Sequence, residues 1–357
     1  MSTGLRKCAE RKLSCHNVIW LFYAFRYEFF GTEIANFALG TFSQAGTQSF
    51  PAVVLDQSVI PLRAFSGLTG ADSILSLLEN WEANFAVLQN EIASVSETAI
   101  SLEHLKIHPP VNLPRQVFCS GANYKKHVID LIVDEGGGPA SENMTTEERR
   151  AWAVKMMDER AATGYPYMFS KPVSVVTGAY DNIVLPPHAK APDWELELGV
   201  VIGRKARHVT KADAMNYVAG YSIVNDITNR DHVFRRDAVK AMGSDWIAAK
   251  GAPTYLPFGP YLVPAAFVPN PQNLQLTLKL NGEIKQNEST ADMIFDIARQ
   301  LEYLSSLVEL WPGDVICTGS PAGNGTHYKR FLQEGDVVET TITGLGTQRN
   351  ICVKEKL

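Results

Sequence analysis

No run of lysine or arginine in this sequence is concentrated enough to form a phosphate-binding surface, and the formal net charge is −5. Nucleic acid is therefore not the expected partner. No Gly-x-Gly-x-x-Gly and no P-loop occurs, so no nucleotide cofactor is indicated. Cysteine is scarce: Cys8, Cys15, Cys119, Cys317 and Cys352 are an odd number scattered over 357 residues without Cys-x-x-Cys spacing. That excludes a disulfide framework or a zinc ribbon and suits reduced thiols in a cytosolic-type, cytoplasmic setting. Long hydrophobic runs are missing too. The most apolar stretch, residues 17–30 (NVIWLFYAFRYEFF), is too short to span a bilayer and is broken by Arg26 and Glu28. Basic residues precede it, as in a signal sequence, but no small-residue cleavage site follows. Residues 1–37 read as an accessory extension, with a targeting or membrane-surface role as the alternative.

What is present is the composition of a soluble globular chain with a sizeable core, 45% hydrophobic and 20% charged. Residues 38–108 form a small N-terminal unit, with short strands at 38–42, 52–56 and 59–62 and one helix over 71–92 carried by Ile74, Leu77, Leu78, Trp81, Phe85 and Leu88. The proline-containing linker 108–114 marks a boundary, and 115–357 is the main domain. There the spacing predicts strands at 274–280 and 283–286 around the Asn281-Gly282 turn, a helix over 211–219 capped by Thr210, and another from Thr290 to about Leu307. The strands outnumber the helices and do not alternate with them, so the class is α+β, mostly β.

The stretch 193–203 (DWELELGVVIG) organises the chemistry. Strand periodicity places Glu195 and Glu197 side by side on one face, while Trp194, Leu196, Leu198 and Val200 occupy the other. A lone Glu-x-Glu is ordinarily the wet face of a strand. Here both faces of the far end are apolar, and two carboxylates in a partly buried place call for a cation. Asp226 stands among apolar neighbours in a second strand, 221–228, and completes a set of three oxygen donors without His or Cys. That set selects a hard ion, Mg²⁺ with Ca²⁺ and Mn²⁺ as alternatives, over zinc. Ahead of it, His127 and Asp130 are three apart at a helical start, a spacing at which a carboxylate can orient an imidazole. The glycine-rich segment and capped helix of 131–164, with capping-box spacing at Thr145 and Glu148, form either a closing lid or a surface insertion.

The succession Gly121-Ala-Asn-Tyr-Lys-Lys-His127, Phe169-Ser-Lys-Pro172, Asp193–Gly203, Asn225-Asp226…Arg230-Asp231, Lys250, Pro312-Gly-Asp314 and Thr318-Gly-Ser-Pro-Ala-Gly323 resembles the fumarylacetoacetate hydrolase family from Val117 to the C-terminus. Residues 1–32 have no counterpart in that resemblance. It implies a rolled, mixed β-sheet around one Mg²⁺ or Ca²⁺, usually in a homodimer, and a metal-dependent hydrolase that cleaves a C–C bond in an acylpyruvate-type 2-oxo acid. Carried over by position, Glu195, Glu197 and Asp226 hold the metal, and His127, Asp130 and Lys250 are catalytic. Tyr124, Lys171, Arg230 and Ser320 bind substrate. Ala122, Asp130 and Ser320 depart from the commoner residues of the family, which leaves the substrate's acyl group open. A decarboxylase, tautomerase or isomerase working through an enolate is the alternative. A glycosidase acid pair fits less well, because its carboxylates stand roughly 5–9 Å apart across a scissile bond. A binding module without chemistry would not need every one of these positions filled.

Overall fold

The computed structural model describes residues 28–29, 32–33, 36–95, 99–135, 144–234 and 243–356. Most of the 17–30 stretch and residues 136–143 of the glycine-rich segment lie outside the described residues. The fold is mixed α+β and mostly strands, as the composition of turns and apolar runs predicts. Its main body is a 12-stranded sheet in the order Ile100–Ser101, Ser58–Pro61, Phe50–Leu55, Ala38–Ser43, Leu256–Pro264, Val218–Asn225, Leu196–Ile202, Val315–Cys317, Val117–Gly121, Tyr167–Lys171, with Lys106–His108 and Val176–Gly178 attached as side branches. Strands of the 38–108 unit thus join the same sheet as the main domain, through Leu39 opposite Leu262. A second, five-stranded sheet is built from Ile183–Leu185, Gly346–Lys354, Val337–Ile342, Gln275–Leu280 and Glu283–Ser289.

The centre of the large sheet is buried on both faces. Every residue of Leu196–Ile202, Val218–Asn225 and Leu256–Pro264 is buried, which is what continuous runs of Val, Leu and Ile produce when neither face meets water. Trp194 is fully buried, with its indole N–H donated to Gly323 O at 3.0 Å. The Asn281-Gly282 hairpin closes as expected, both residues at positive φ.

Several helices differ from the periodicity. The 71–92 helix is two, Ile74–Leu78 and Trp81–Glu91. They part at Glu79 and Asn80, and Asn84 of the second helix turns inward to donate to Leu77 O and Thr69 O. The 211–219 helix shrinks to a 3-10 turn, Ala214–Tyr217, because Val218 and Ala219 are drawn into the core strand. The helix expected from Thr290 begins at Ile297, and its cap is Asp296, whose side chain accepts from Arg299 N. The capping box does form: Thr145 and Glu148 exchange both bonds at the head of Thr146–Thr163. That helix packs against Lys125–Glu135 around Ile129, Ala153 and Met157, a small core separate from the main one.

Candidate metal centre

Two neighbouring strands deliver the acids. Val218–Asn225 runs antiparallel to Leu196–Ile202 with Leu196 opposite Asn225, and the ladder continues one step further as Asp226 N donates to Glu195 O at 2.8 Å. Residues opposed across a ladder share a face, as do residues two apart on one strand. Glu195, Glu197 and Asp226 therefore project together, all buried, with carboxylate oxygens within 4.8 Å of one another.

Cations surround two of the three. Lys250, at the end of the short helix Trp246–Lys250, donates to Glu195 Oε2 at 2.7 Å, Asp226 Oδ2 at 2.5 Å and Thr228 Oγ1 at 2.6 Å. Lys171 donates to Asp226 Oδ1 at 2.6 Å and to the Tyr255 and Ile227 carbonyls. Arg230 Nη2 lies 2.6 Å from Glu195 Oε1, an ion pair outside hydrogen-bond geometry, and its Nε donates to Asp193 Oδ2 at 2.8 Å. Burial alone would raise the Glu195 carboxyl, but Lys250 and Arg230 reverse that and hold it at about 2. Burial lowers the Lys250 ammonium, and Asp226 and Glu195 more than restore it.

Glu197 is different. Its Oε2 accepts from Gly319 N at 2.7 Å, and none of the three cations pairs with it. Burial, then the neighbouring Asp226, pushes its carboxyl well above the usual range. With Glu197 ionised, Asp193, Glu195, Glu197 and Asp226 would outnumber Lys171, Lys250 and Arg230 by one charge, an excess that is costly in a buried place. The Tyr124 hydroxyl, near enough to Glu197 for its charge to help raise it, is buried without a hydrogen-bond partner. Oxygen-only donors, surplus negative charge and an orphaned hydroxyl fit a hard divalent cation at this point.

The remaining predicted residues are placed as follows. His127 lies in Lys125–Glu135 with part of its surface open, and burial followed by the Arg230 charge lowers its imidazole to about 4. Asp130 is on the same helix, but its Oδ1 accepts from Arg150 at 3.0 Å and the described contacts give it no hydrogen bond to His127. Lys171 has no exposed side-chain surface, so it props Asp226 and presents nothing to a substrate. Ser320 is buried, and its Oγ accepts from Gln286 Nε2 at 3.0 Å. Sequence reasoning assigned no role to Asp193, Thr228 or the Gly319 amide. Nor did it single out Phe169 and Trp246, whose stacked rings, 4.5 Å apart, carry Lys250 Nζ 5.2 and 5.9 Å above their centroids. Asp193 left a signal, an acid leading directly into the Glu-x-Glu strand, and Phe169 and Gly319 stand in motifs that carry the family resemblance.

Residues 116–353 match the family model described as the fumarylacetoacetate (FAA) hydrolase C-terminal domain. The chain is 33% identical over 290 residues to the mitochondrial oxaloacetate tautomerase FAHD2A of Bos taurus, across 81% of this chain and 82% of that protein. Among solved structures, the fumarylacetoacetate hydrolase of psychrophilic Exiguobacterium antarcticum aligns with TM-score 0.69 at 28% identity, covering 89% of this chain and 100% of that one. The 5-carboxymethyl-2-hydroxymuconate delta-isomerase of Mycobacterium smegmatis aligns with TM-score 0.62 at 25% identity, covering 90% and 100%.

Proposed function

This chain belongs to the fumarylacetoacetate hydrolase family, and from that premise we propose that it is a metal-dependent enzyme acting on a small 2-oxo acid through enolate chemistry, with keto–enol tautomerisation of an oxaloacetate-like acid as its reaction. The observation that carries the reading is the convergence of three buried carboxylates with a neutral imidazole beside them. The tautomerase relative at 33% identity favours this chemistry over hydrolysis. A Mg²⁺ ion held by Glu195, Glu197 and Asp226, or Mn²⁺ or Ca²⁺ in its place, would supply Lewis acidity toward a chelating oxo acid.

The protein's own groups account for the rest. His127 is neutral at pH 7 and serves as the base that moves a proton between the carbon beside the oxo group and the enol oxygen. Burial and then Arg230 hold its basicity down in the free enzyme, and an anionic substrate beside the guanidinium offsets the Arg230 share and strengthens the base when it is needed. Arg230 Nη2 and the Tyr124 hydroxyl, both buried without a hydrogen-bond partner, have capacity to spare for a substrate carboxylate. Lys250, its three protons spoken for, holds positive charge beside Glu195 and Asp226 and helps keep Glu195 ionised. Asp130, engaged by Arg150, is poorly disposed to drive water activation, which further favours proton transfer.

A second reading, hydrolysis of a C–C bond in an acylpyruvate, is favoured by the Exiguobacterium antarcticum hydrolase as a structural neighbour. Purified protein with Mg²⁺ should be incubated with oxaloacetate, fumarylpyruvate, fumarylacetoacetate and other acylpyruvates. Faster enol-to-keto equilibration of oxaloacetate without its consumption is the expected result. Two acids as products would move the assignment to the hydrolase, and carbon dioxide would move it to a decarboxylase.

A further inference from the structure

Asp193 lies outside both the metal-holding and the substrate-contacting sets, yet it is fully buried and saturated with donors. Its Oδ1 accepts from Trp194 N at 2.8 Å and Gly325 N at 2.5 Å. Its Oδ2 takes Thr326 N and Thr326 Oγ1, each at 3.2 Å, and Arg230 Nε at 2.8 Å. A carboxylate held by five donors cannot swing toward a ligand. Arg230 is tied to the same short segment a second time, because Pro192–Asp193 pairs with Thr228–Asn229 and Arg230 N donates to Ala191 O at 2.9 Å. Only the terminal nitrogens of its guanidinium are left to face Glu195.

Both Glu195 oxygens are occupied, Oε1 by Arg230 and Oε2 by Lys250. A cation arriving at Glu195 has to weaken both contacts. Lys250 retains Asp226 and Thr228 when that happens. Arg230 retains Asp193 and, among the described residues, nothing else of opposite charge. We propose that Asp193 is a positioning residue that keeps the Arg230 guanidinium compensated and correctly aimed once a cation engages Glu195, so that its terminal nitrogens are free to receive the carboxylate of the oxo acid. The assignment rests on the oxo-acid reading of the site and adds to it the residue that sets the orientation of Arg230.

The test uses the full-length protein and measures, by calorimetry, Mn²⁺ binding alone and oxalate binding in saturating Mn²⁺, neither of which requires turnover. Asp193→Asn keeps an acceptor for the Gly325 amide and removes the negative charge that faces Arg230. Oxalate affinity is expected to fall about tenfold or more from the displaced guanidinium, with Mn²⁺ affinity changed by no more than about threefold. In an Arg230→Gln background Asp193→Asn should add less than about twofold, because a residue acting only through another shows no independent effect. Should the Asn variant fail to fold, Asp193→Glu keeps the charge but pushes the carboxylate one methylene further, and the same oxalate loss is expected. Unchanged oxalate affinity, losses that add in the double variant, or equal losses of Mn²⁺ and oxalate overturn the proposal. A wild-type protein that binds Mn²⁺ but no oxalate overturns the oxo-acid reading beneath it, and this assignment with it.

Discussion

At the scale of single residues, His127 and Glu197 are held in opposite ways by one environment. Burial and Arg230 keep the imidazole uncharged, while burial and Asp226 press the carboxylate toward protonation. His127→Asn is expected to lower turnover by about 10² to 10⁴-fold and leave Mg²⁺ affinity, measured by calorimetry, where it was. A parallel loss of Mg²⁺ binding would place His127 among the metal ligands instead. The acid limb of kcat/KM should fall near pH 4, well below an ordinary histidine. The same shift has a stability consequence of definite sign. The folded state binds fewer protons than the unfolded chain between about pH 4 and 6.5, so this group's contribution is fully present above pH 6.5 and is lost as pH falls toward 4. His127→Asn should flatten that part of the denaturant midpoint-versus-pH curve. The three acids were legible in the sequence because strand alternation fixes Glu195 and Glu197 on one face and an acid inside an apolar run demands a partner. The partners were not. Lys171 and Asp226 are 55 residues apart, as are Lys250 and Glu195, and only the folded sheet shows that both lysines are consumed in neutralising acids.

At the scale of elements, the helices Lys125–Glu135 and Thr146–Thr163 share their own small core and are joined by Asp130–Arg150 and Lys125–Asp158 contacts. His127 therefore rides on a unit with its own packing. Met157→Ala is expected to cost this pair about 2–5 kcal/mol. In hydrogen exchange it should speed amides of 125–135 and 146–163 while those of Leu196–Ile202 stay protected; equal loosening of both would mean that the pair belongs to the global fold. The Gly319–Gly323 loop is the other positioning element. Gly319 has φ +102 and an added Cβ would stand 2.7 Å from Asn123 Cβ, so Gly319→Ala strains the backbone by about 1–3 kcal/mol and displaces the amide that holds Glu197. Weaker Mg²⁺ binding is the expected readout, and unchanged affinity would show that the amide is dispensable. The capping box and the Asn-Gly hairpin were readable because their chemistry is local. The split of 71–92 and the shortened 211–219 helix were not, since an inward-facing Asn84 and the claim of the core strand on Val218 are tertiary effects that override periodicity.

At the scale of the whole molecule, the site sits at the end of the most deeply buried strands, so four acids and three bases share a region with little water to screen them. Among the described residues no helix is long and apolar enough to cross a membrane. The α+β class followed from the sequence, but the continuity of one sheet from the 38–108 unit into the main domain did not, because strand order between distant segments leaves no local pattern. The surplus negative charge ties global stability to the ion: a divalent cation at a hundredfold excess over its Kd should stabilise the protein by about 2.7 kcal/mol, and a chelator should remove that gain. Glu197 separates this account from its competitors, since neutralising it relieves repulsion in the metal-free protein and removes a ligand from the metal-bound one. The decisive measurement is thermal unfolding of wild-type protein and Glu197→Gln, each with Mg²⁺ or Mn²⁺ and with chelator. The account predicts a midpoint for the variant at or above wild type in chelator, and a rise on adding the ion in wild type alone. A wild-type midpoint indifferent to both ions, or a variant that gains as much as wild type, would contradict it.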